Sequence, residues 1–392
     1  MKAPIARPLQ LLAGTAIADA VAHPFDGLVA ATSVGLASFA LLCGLALASG
    51  LDSLYRASGS DRIAVFLASS SVSELNSAIA AEQAHAVQSL MFNAAAVDPA
   101  TSAELYLVVN ARRAGASAAS NVALRGLGPA GIVMRDTVKL ETGRWVQPGA
   151  REIAVGRAAA ARYSGLQLGQ RVRLASADWT VVGTFSGGGV AESELWTDIA
   201  SVRGQFRNEG TVQSIRAKLP HGFKIPDLRE LATRDPRLRL SVISERDYYS
   251  GQSAEMVRLV RNIGAPVCVL LAVGALITVY SSVRHALMRR LASYRTLHAL
   301  GMDPRLMLAA AAIETIAIAL VGALAASIAA LVSVHGSSFA SLGQAFTEAS
   351  FHYRIDAKSV LAGSLASTAI ALAAAAVSMR SIHRSLLFDH RR

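Results

Sequence analysis

Four apolar segments, each long enough to cross a lipid bilayer, constrain this chain more than any other feature. They occupy residues 28–50, 262–283, 306–334 and 359–379. A membrane-spanning helix needs about 20 apolar residues. Glu314 is the one charged residue within the four segments. With 53% hydrophobic and 17% charged residues, the chain is also more apolar than an ordinary soluble protein. The sequence therefore predicts four transmembrane helices.

The interval between the first and second apolar segments has a different character. It contains strand-like runs such as "RIAVFL", "AELYLVVN", "REIAVG" and "WTVVGTF", separated by turns such as "VQPGA". Alternation of apolar and polar residues is typical of half-buried strands, and about 200 residues can bury a core of their own. The predicted fold class is an α-helical membrane protein with four transmembrane helices, one before and three after a large α+β extracytoplasmic domain.

The short loops determine the orientation in the membrane. Residues 284–305 hold five arginines and one aspartate, residues 380–392 hold four arginines and one aspartate, and residues 335–358 are balanced. Basic residues accumulate at the cytoplasmic ends of membrane helices, so both termini and 284–305 are predicted to be cytoplasmic. The net charge of +11 lies mostly beside the membrane segments. It does not form a basic stripe with aromatic residues, so no nucleic-acid partner is expected.

These inferences divide the chain into nine parts. They are a cytoplasmic N-terminal segment (1–27), transmembrane helix 1 (28–50), an extracytoplasmic domain with stalk helices (51–261), transmembrane helix 2 (262–283), a cytoplasmic helix and turn (284–305), transmembrane helix 3 (306–334), a short extracytoplasmic loop (335–358), transmembrane helix 4 (359–379) and a cytoplasmic tail (380–392).

The cytoplasmic segment 284–305 has a well-marked pattern. Its apolar residues recur every three or four positions, as on one face of a helix; they are Leu287, Leu291, Tyr294, Leu297 and Leu300. Gly301 suits the left-handed backbone conformation of the residue that ends a helix. Asp303 suits the N-cap of the next helix, and Pro304 suits the first position of that helix. The pattern predicts a helix that ends near Leu300, followed by a sharp turn. A helix that merely lies at the lipid headgroups would show the same spacing.

The stretch "YRTLHALGM" resembles the coupling segment of FtsX-like permeases, the MacB-type membrane subunits of ABC transporters. "VALRGLGPAG", "ESELW" and "RDYY" resemble the extracytoplasmic domain of this family, and the order of one helix, one domain and three helices is the same. Two positions depart from the family pattern, since Ser293 replaces the usual acidic residue and His298 the usual basic one. The resemblance also implies two subdomains, residues 62–125 with 212–243, and an inserted part around 133–198.

The resemblance implies a function in the bacterial inner membrane without chemistry in this chain. The sequence contains no G-x-x-x-x-G-K-[S/T] motif, so ATP and Mg would be bound by a separate ABC ATPase subunit. That ATPase would dock on Leu287, Leu291, Tyr294, Leu297, His298, Leu300, Gly301, Asp303 and Pro304. Segments 51–59 and 247–261 would carry the motion outward as a stalk. Expected partners are a second permease copy and, for export, a periplasmic adaptor and an outer-membrane duct.

Other sites find no support in the sequence. "GLGPAG" at 126–131 matches a dinucleotide motif by letters, but a proline interrupts it, and no cofactor is expected. The histidines have no metal-ligand spacing and no serine lies in G-x-S-x-G, so neither a metal site nor a catalytic residue is predicted. The acidic stretch Glu192-Ser193-Glu194 is interpreted as a solvated loop in preference to a partner contact.

Glu314 has two interpretations. An acid inside a membrane helix is by default a candidate for a proton relay. No second titratable residue in the other spans could complete a relay, so a hydrogen bond between helices or at the level of the lipid headgroups is favoured.

Three functions follow. The first is the permease subunit of an ATP-driven export or extraction system. The second is a signalling permease that activates a periplasmic cell-wall hydrolase, and the third is a stand-alone receptor or membrane enzyme. The coupling segment argues against the third.

Overall fold

The computed structural model describes residues 24–95, 100–115, 119–206, 210–300, 303–342, 348–353 and 355–388. The chain forms two units. The first, which we call the membrane unit, comprises the residues up to Ser49, Arg258–Ser337 and the residues from Tyr353 onward. The second, the ectodomain, comprises Gly50–Val257 and Ser338–His352.

Four described helices are long and apolar enough to span a membrane, which confirms the predicted fold class. They are α1 (Pro24–Arg56), α7 (Glu245–Arg289), α9 (Pro304–Ser333) and α10 (Ala357–Phe388); the short helix α8 (Leu291–Ala299) lies between α7 and α9. Helices α1 and α7 extend well beyond the predicted spans 28–50 and 262–283. The residues of α1 from Gly50 onward and those of α7 up to Val257 belong to the ectodomain.

The membrane unit is held together by small and branched side chains. They come from all four long helices and form one buried cluster: Ala30, Val34, Ala37, Ala275, Val279, Val283, Leu287, Ala311, Ala319, Ala371 and Ala374. Alanine permits close helix contact, which supplies the van der Waals packing that replaces the hydrophobic effect in lipid. Hydroxyl groups add links between helices, since Ser38 bonds Ser367 and the Ser378 hydroxyl donates to the carbonyl oxygen of Tyr280.

The backbones of α1 and α9 touch where two glycines face each other. A Cβ placed on Gly322 would lie 2.4 Å from the carbonyl oxygen of Ala31, and one on Gly35 would lie 3.1 Å from the carbonyl oxygen of Gly322. No side chain fits at Gly322 unless the helices separate.

Gly322→Val is therefore expected to lower the stability of the membrane unit by about 1–3 kcal/mol, the usual result of overpacking. The measurement is loss of helical circular dichroism during denaturation in detergent. Gly274→Val is the matched control, because a Cβ at Gly274 meets no atom within 4 Å. Equal stability of the two variants would contradict the close approach of α1 and α9.

The ectodomain is built on one ten-stranded sheet. Its strand order is β12-β1-β11-β3-β4-β9-β6-β8-β5, with β7 paired to β8. The strands are β1 (Ile63–Ala68), β3 (Thr101–Arg112), β4 (Ala119–Leu127), β5 (Lys139–Gly143), β6 (Glu152–Gly156), β7 (Arg171–Leu174), β8 (Ala177–Ser186), β9 (Glu194–Asp198), β11 (Ser214–Lys218) and β12 (Leu240–Ser244). A short pair, β2 (Ile79–Ala80) with β10 (Thr211–Val212), lies apart.

Two large hydrophobic cores cover different parts of this sheet, and a smaller cluster includes Phe185 and Trp196. One includes Phe66, Met91 and Leu228 and lies under α2 (Ala81–Ala95) and α6 (Ile225–Arg234). The other includes Trp179 and Val202 and lies under α4 (Arg157–Arg162) and α5 (Ile199–Phe206). The remaining helix, α3 (Pro129–Val133), follows β4. The boundary between the two expected subdomains does not separate these cores, because Leu105, Val109 and Leu124 of the first expected subdomain belong to the second core. The two parts also share one sheet, since β4 pairs with β3 on one side and with β9 on the other.

The loop predicted at 335–358 contains secondary structure. Strands β13 (Ser338–Leu342) and β14 (Glu348–His352) form an antiparallel hairpin that belongs to the ectodomain. Its pattern of apolar and polar residues is too short to stand out beside the long apolar segments on either side.

Candidate functional site

The turn between the second and third membrane helices has the expected position but a different internal structure. Helix α7 continues to Arg289, and α8 begins at Leu291, so the helix expected over 287–300 is broken at Arg290. We call Arg290, α8 and the residues up to Asp303 the coupling turn. Helix α9 begins at Pro304, directly after Asp303, as the sequence suggests. Gly301 lies outside the described residues.

The side chains of α8 divide into an inward and an outward face. Leu291, Tyr294 and Leu297 are half-buried, and Tyr294 packs against the core of the membrane unit. Ser293, Arg295 and Thr296 are exposed on the other face. The inward face is the apolar stripe that the sequence predicts, and it contacts this chain itself.

The two ends of the predicted stripe lie in different surroundings. Leu287 belongs to α7 and is 3% exposed, whereas Leu300 follows α8 and is 80% exposed. His298 lies within α8. The surface open to a partner is thus the outward face of α8 together with Leu300, and it excludes Leu287.

Glu314 forms an ion pair with the residue at which the helix breaks. The Nη1 and Nη2 atoms of Arg290 donate to the two carboxylate oxygens of Glu314 at 2.7 and 3.1 Å. Both side chains are mostly buried, with exposed fractions of 13% and 16%. This geometry supports the interhelical interpretation of Glu314, and the fork of two parallel hydrogen bonds fixes orientation as well as distance.

A second ion pair joins the end of α7 to the start of α1. Arg289 donates from Nη1 to a carboxylate oxygen of Asp26, and the Ser282 hydroxyl donates to the Asp26 carbonyl oxygen at 3.2 Å. The adjacent residues Arg289 and Arg290 therefore tie the coupling turn to α1 and α9. From the sequence alone, these arginines are only orienting charges, and no local pattern marks Asp26 as their partner.

The space beside these ion pairs is small. The cavity lined by Asp26, Arg290, Glu314 and Thr315 measures about 40 Å³, far below the roughly 300 Å³ of a small-molecule site. Among the described residues, no group of three or more His, Cys, Asp or Glu could hold a metal ion. The cavity beside the coupling turn is therefore too small for a ligand of that size.

Among the described residues of the ectodomain, seven buried charged side chains contact one another, and we call them the buried charge cluster. They are Glu74, Glu104, Arg125, Arg135, Glu194, Arg216 and Glu245. Four carboxylates and three guanidinium groups leave one net negative charge. They come from β3, β4, β9, β11, the first residue of α7 and two connecting segments, so the cluster lies where the two parts of the sheet meet.

Arg125 is at the centre of the cluster. Its Nε donates to Oε2 of Glu194 at 2.8 Å, and its Nη1 donates to both Glu74 and Glu104 at 2.8 Å. The Nη1 of Arg216 also donates to Glu74 at 2.8 Å, and the Nη2 of Arg135 donates to Glu104 at 2.8 Å. Glu74, Glu104 and Glu194 are thus each paired with at least one arginine, and these ion pairs join strands of the sheet.

The arginines lower the pKa values of two of the carboxylates, Glu74 and Glu104. Burial alone would raise the pKa of Glu74, but the charges of Arg125 and Arg216 outweigh it and hold this pKa well below its usual range. Burial acts on Glu104 in the same way, and Arg135, Arg216 and Arg125 lower its pKa.

The solvated-loop interpretation of Glu192-Ser193-Glu194 is wrong. Glu194 is 2% exposed and is bound to Arg125 and to the indole Nε1 of Trp196. Glu192 accepts from Arg157 and from the backbone N–H of Gly188, at 3.0 and 3.1 Å. A local acidic stretch gave no indication of the arginines that approach it from other strands.

Comparisons with known proteins follow the same division of the chain. A family model described as MacB-like periplasmic core domain matches residues 28–234, and one described as FtsX-like permease C-terminal matches residues 267–385. A search among curated proteins gives no match.

Among solved structures, the chain is similar to the periplasmic region of MacB from Actinobacillus actinomycetemcomitans, at 13% identity over 53% of this chain and 95% of that one, with a TM-score of 0.37. It is also similar to the extracellular domain of the ABC-type transporter YknZ from Gram-positive bacteria, at 14% identity over 46% of this chain and 99% of that one, with a TM-score of 0.36. Because the first family model covers more than half of the chain and the second follows it in order, this multi-pass membrane protein belongs to the FtsX-like permeases with a MacB-like periplasmic core domain.

Proposed function

We propose that this chain is the membrane subunit of an ATP-driven export or extraction system and transmits the movement of a separate ABC ATPase to its ectodomain. The observation that carries the proposal is the coupling turn. Its inward face packs on the membrane unit, its outward face is exposed, and Arg289 and Arg290 tie it to α1 and α9. A partner that pushes on the outward face would move the membrane helices with it.

The sequence and the family both support the proposal that a partner subunit, and not this chain, binds ATP. The chain lacks a phosphate-binding G-x-x-x-x-G-K-[S/T] motif, and both family models describe permease domains. ATP and Mg are then bound by the partner ATPase. A periplasmic adaptor and an outer-membrane duct complete the route for an exported substrate. If the ectodomain instead engages a cell-wall hydrolase, the same turn serves the signalling alternative.

A second copy of the chain is the proposed partner within the membrane. In the most apolar 18-residue stretch of α7, only 11% of the residues are buried, whereas 39% are buried in the corresponding stretch of α9. The exposed positions on α7 include Ile263, Val269 and Leu270. A homodimer would cover this exposed face of α7 and would provide two coupling turns for a pair of ATPases.

The orientation is open to a direct test. In a chain without Cys43 and Cys268, single cysteines at Ser176 and Ser293, both exposed, should react with an impermeant maleimide from opposite sides of the membrane. Labelling is measured in right-side-out and inverted vesicles. Reaction of both positions from one side would contradict the proposed topology.

The proposed contact with the ATPase is tested by changing Leu300, at the outward face of the coupling turn. Leu300→Asp should reduce co-purification of an ABC ATPase, identified by mass spectrometry, by at least about tenfold, because a buried leucine alone contributes about 1.5–3 kcal/mol. Leu168→Asp is the control, since Leu168 is 51% exposed in the ectodomain. Equal capture by both variants would mean that α8 is only a surface at the headgroups.

A further inference from the structure

Helix α7 begins inside the buried charge cluster. Glu245 is its first residue and is 3% exposed. Its Oε1 accepts a hydrogen bond from Nε of Arg216 at 3.0 Å and lies 3.9 Å from Nε of Arg135. The start of the helix is therefore bound to the ectodomain by charge and not by apolar contact alone.

The next two contacts of α7 with the cluster come from the same face of its first turn. Tyr248 and Tyr249 are three and four positions after Glu245, so the three side chains point the same way. The Tyr248 hydroxyl accepts from the backbone N–H of Glu74 at 3.2 Å, and Arg216 donates to the Tyr249 hydroxyl at 3.5 Å. Both tyrosines are buried. One helical face thus enters the cluster as a unit.

The end of α1 meets the start of α7 at the same place. A Cβ on Gly59 would lie 2.6 Å from the Cα of Arg246, so the two backbones are in direct contact. The Ser58 hydroxyl accepts a hydrogen bond from the backbone N–H of Val190 at 2.8 Å. This bond links the residues that follow α1 to the residues just before Glu194. Both segments that lead into the ectodomain therefore converge on the cluster.

The cluster extends from Glu245 into both parts of the sheet. Arg216 on β11 also binds Glu74 and Glu104, and these in turn bind Arg125 on β4. Arg125 then holds Glu194 at the start of β9. Charge-assisted hydrogen bonds of this kind are strongly directional, whereas apolar side chains could slide past one another.

We propose that Glu245 is a positioning residue that locks the first turn of α7 to both parts of the ectodomain, so that movement of α7 becomes movement of the whole sheet. The proposal rests on the proposed function, because it specifies where the transmitted movement enters the ectodomain. Buried ion pairs add little net stability compared with apolar packing, and a requirement for one fixed geometry explains why seven charges are kept here.

The test uses Glu245→Gln in the full chain with its ATPase, reconstituted in lipid. The amide keeps the shape and an acceptor for Arg216, and removal of one negative charge leaves the cluster neutral, so the variant should fold. Fluorophores at Ser176→Cys in the two copies report movement through energy transfer. We expect wild-type ATPase capture and ATP hydrolysis, with the nucleotide-dependent change in energy transfer at least halved. Glu230→Gln, in an exposed pair with Arg234, should behave as wild type.

A second variant keeps the inference testable if Glu245→Gln does not fold. Tyr248→Phe removes only the hydroxyl that bonds Glu74, and it should reduce the change in energy transfer in the same direction. If Glu245→Gln folds and shows the full wild-type change in energy transfer, the inference is wrong. If Glu245→Gln does not fold, a full wild-type change in Tyr248→Phe would overturn it instead. Failure of the wild-type chain to bind any ABC ATPase would instead overturn the proposed function.

Discussion

Replacement of Arg125 by methionine should destabilise the ectodomain by about 3–5 kcal/mol, the usual cost of removing one partner from a buried ion pair. The change removes the hydrogen bonds to Glu74, Glu104 and Glu194 and leaves the cluster with two net negative charges. Arg125 is 1% exposed, so these carboxylates lose a partner that lies inside the protein. Methionine fills the space of the aliphatic part of the arginine side chain, so the main perturbation is the loss of the guanidinium with its charge and hydrogen bonds.

Tryptophan fluorescence measures this effect on the ectodomain alone. The chain has three tryptophans, Trp145, Trp179 and Trp196, and all lie in the ectodomain. Trp196 is also next to the cluster, since the Arg135 guanidinium lies 5.3 Å from its ring centroid. Arg234→Met, in an exposed pair on α6, is the control and should change stability by less than about 1 kcal/mol. Equal denaturation midpoints for the two variants would contradict the role of Arg125.

The same variant has an expected dependence on pH. The pKa values of Glu74 and Glu104 are lowered in the folded protein, so their stabilising contribution is present above the ordinary glutamate pKa of about 4.5 and is lost as the pH falls through the folded values. The wild-type ectodomain should thus be equally stable from pH 7 to about 5 and weaken below about 4.5. In Arg125→Met, protonation of the buried glutamates relieves the excess negative charge. The difference in stability between the wild type and this variant should therefore become smaller as the pH falls. A deficit independent of pH would contradict this account.

The membrane helices could be predicted from the sequence because lipid imposes a length and a composition that local residues alone satisfy. The coupling turn could be placed for a similar reason, since Asp303 and Pro304 mark a helix start within a few residues. The break at Arg290 could not be predicted, because it accompanies a contact with Glu314, 24 positions later. The hairpin at 338–352 was missed, since its strands are only five residues long.

The buried charge cluster depends on pairings between distant strands. Glu104, Arg125 and Arg216 each interrupt an apolar strand, as in "AELYL", "VALRGL" and "SIRAK". Charges within otherwise apolar strands are a signal that partners exist, because a lone charge would not be buried. Which residues pair follows only from the strand order, in particular from β4 lying between β3 and β9.

Loss of the Glu314 carboxylate should disconnect the coupling turn from the membrane helices without releasing the ATPase. Glu314→Ala removes both hydrogen bonds to Arg290 but leaves the outward face of α8 unchanged. The ATPase should still bind this chain and hydrolyse ATP. Most of its movement should not reach α9, because the contact between Arg290 and residue 314 is gone. Reversal of the pair, with Arg290→Glu and Glu314→Arg together, should restore part of the coupling, which a general loss of folding would not allow.

The most direct measurement of this coupling is the energy transfer between fluorophores at Ser176→Cys of the two copies, recorded together with ATP hydrolysis in the reconstituted complex. In the wild type, addition of ATP should change the energy transfer. In Glu314→Ala, hydrolysis should continue while the change in energy transfer largely disappears, and the reversed pair should recover part of it. If Glu314→Ala shows the full wild-type change, the coupling turn does not transmit the movement of the ATPase through Arg290 and Glu314, and the proposed mechanism is wrong.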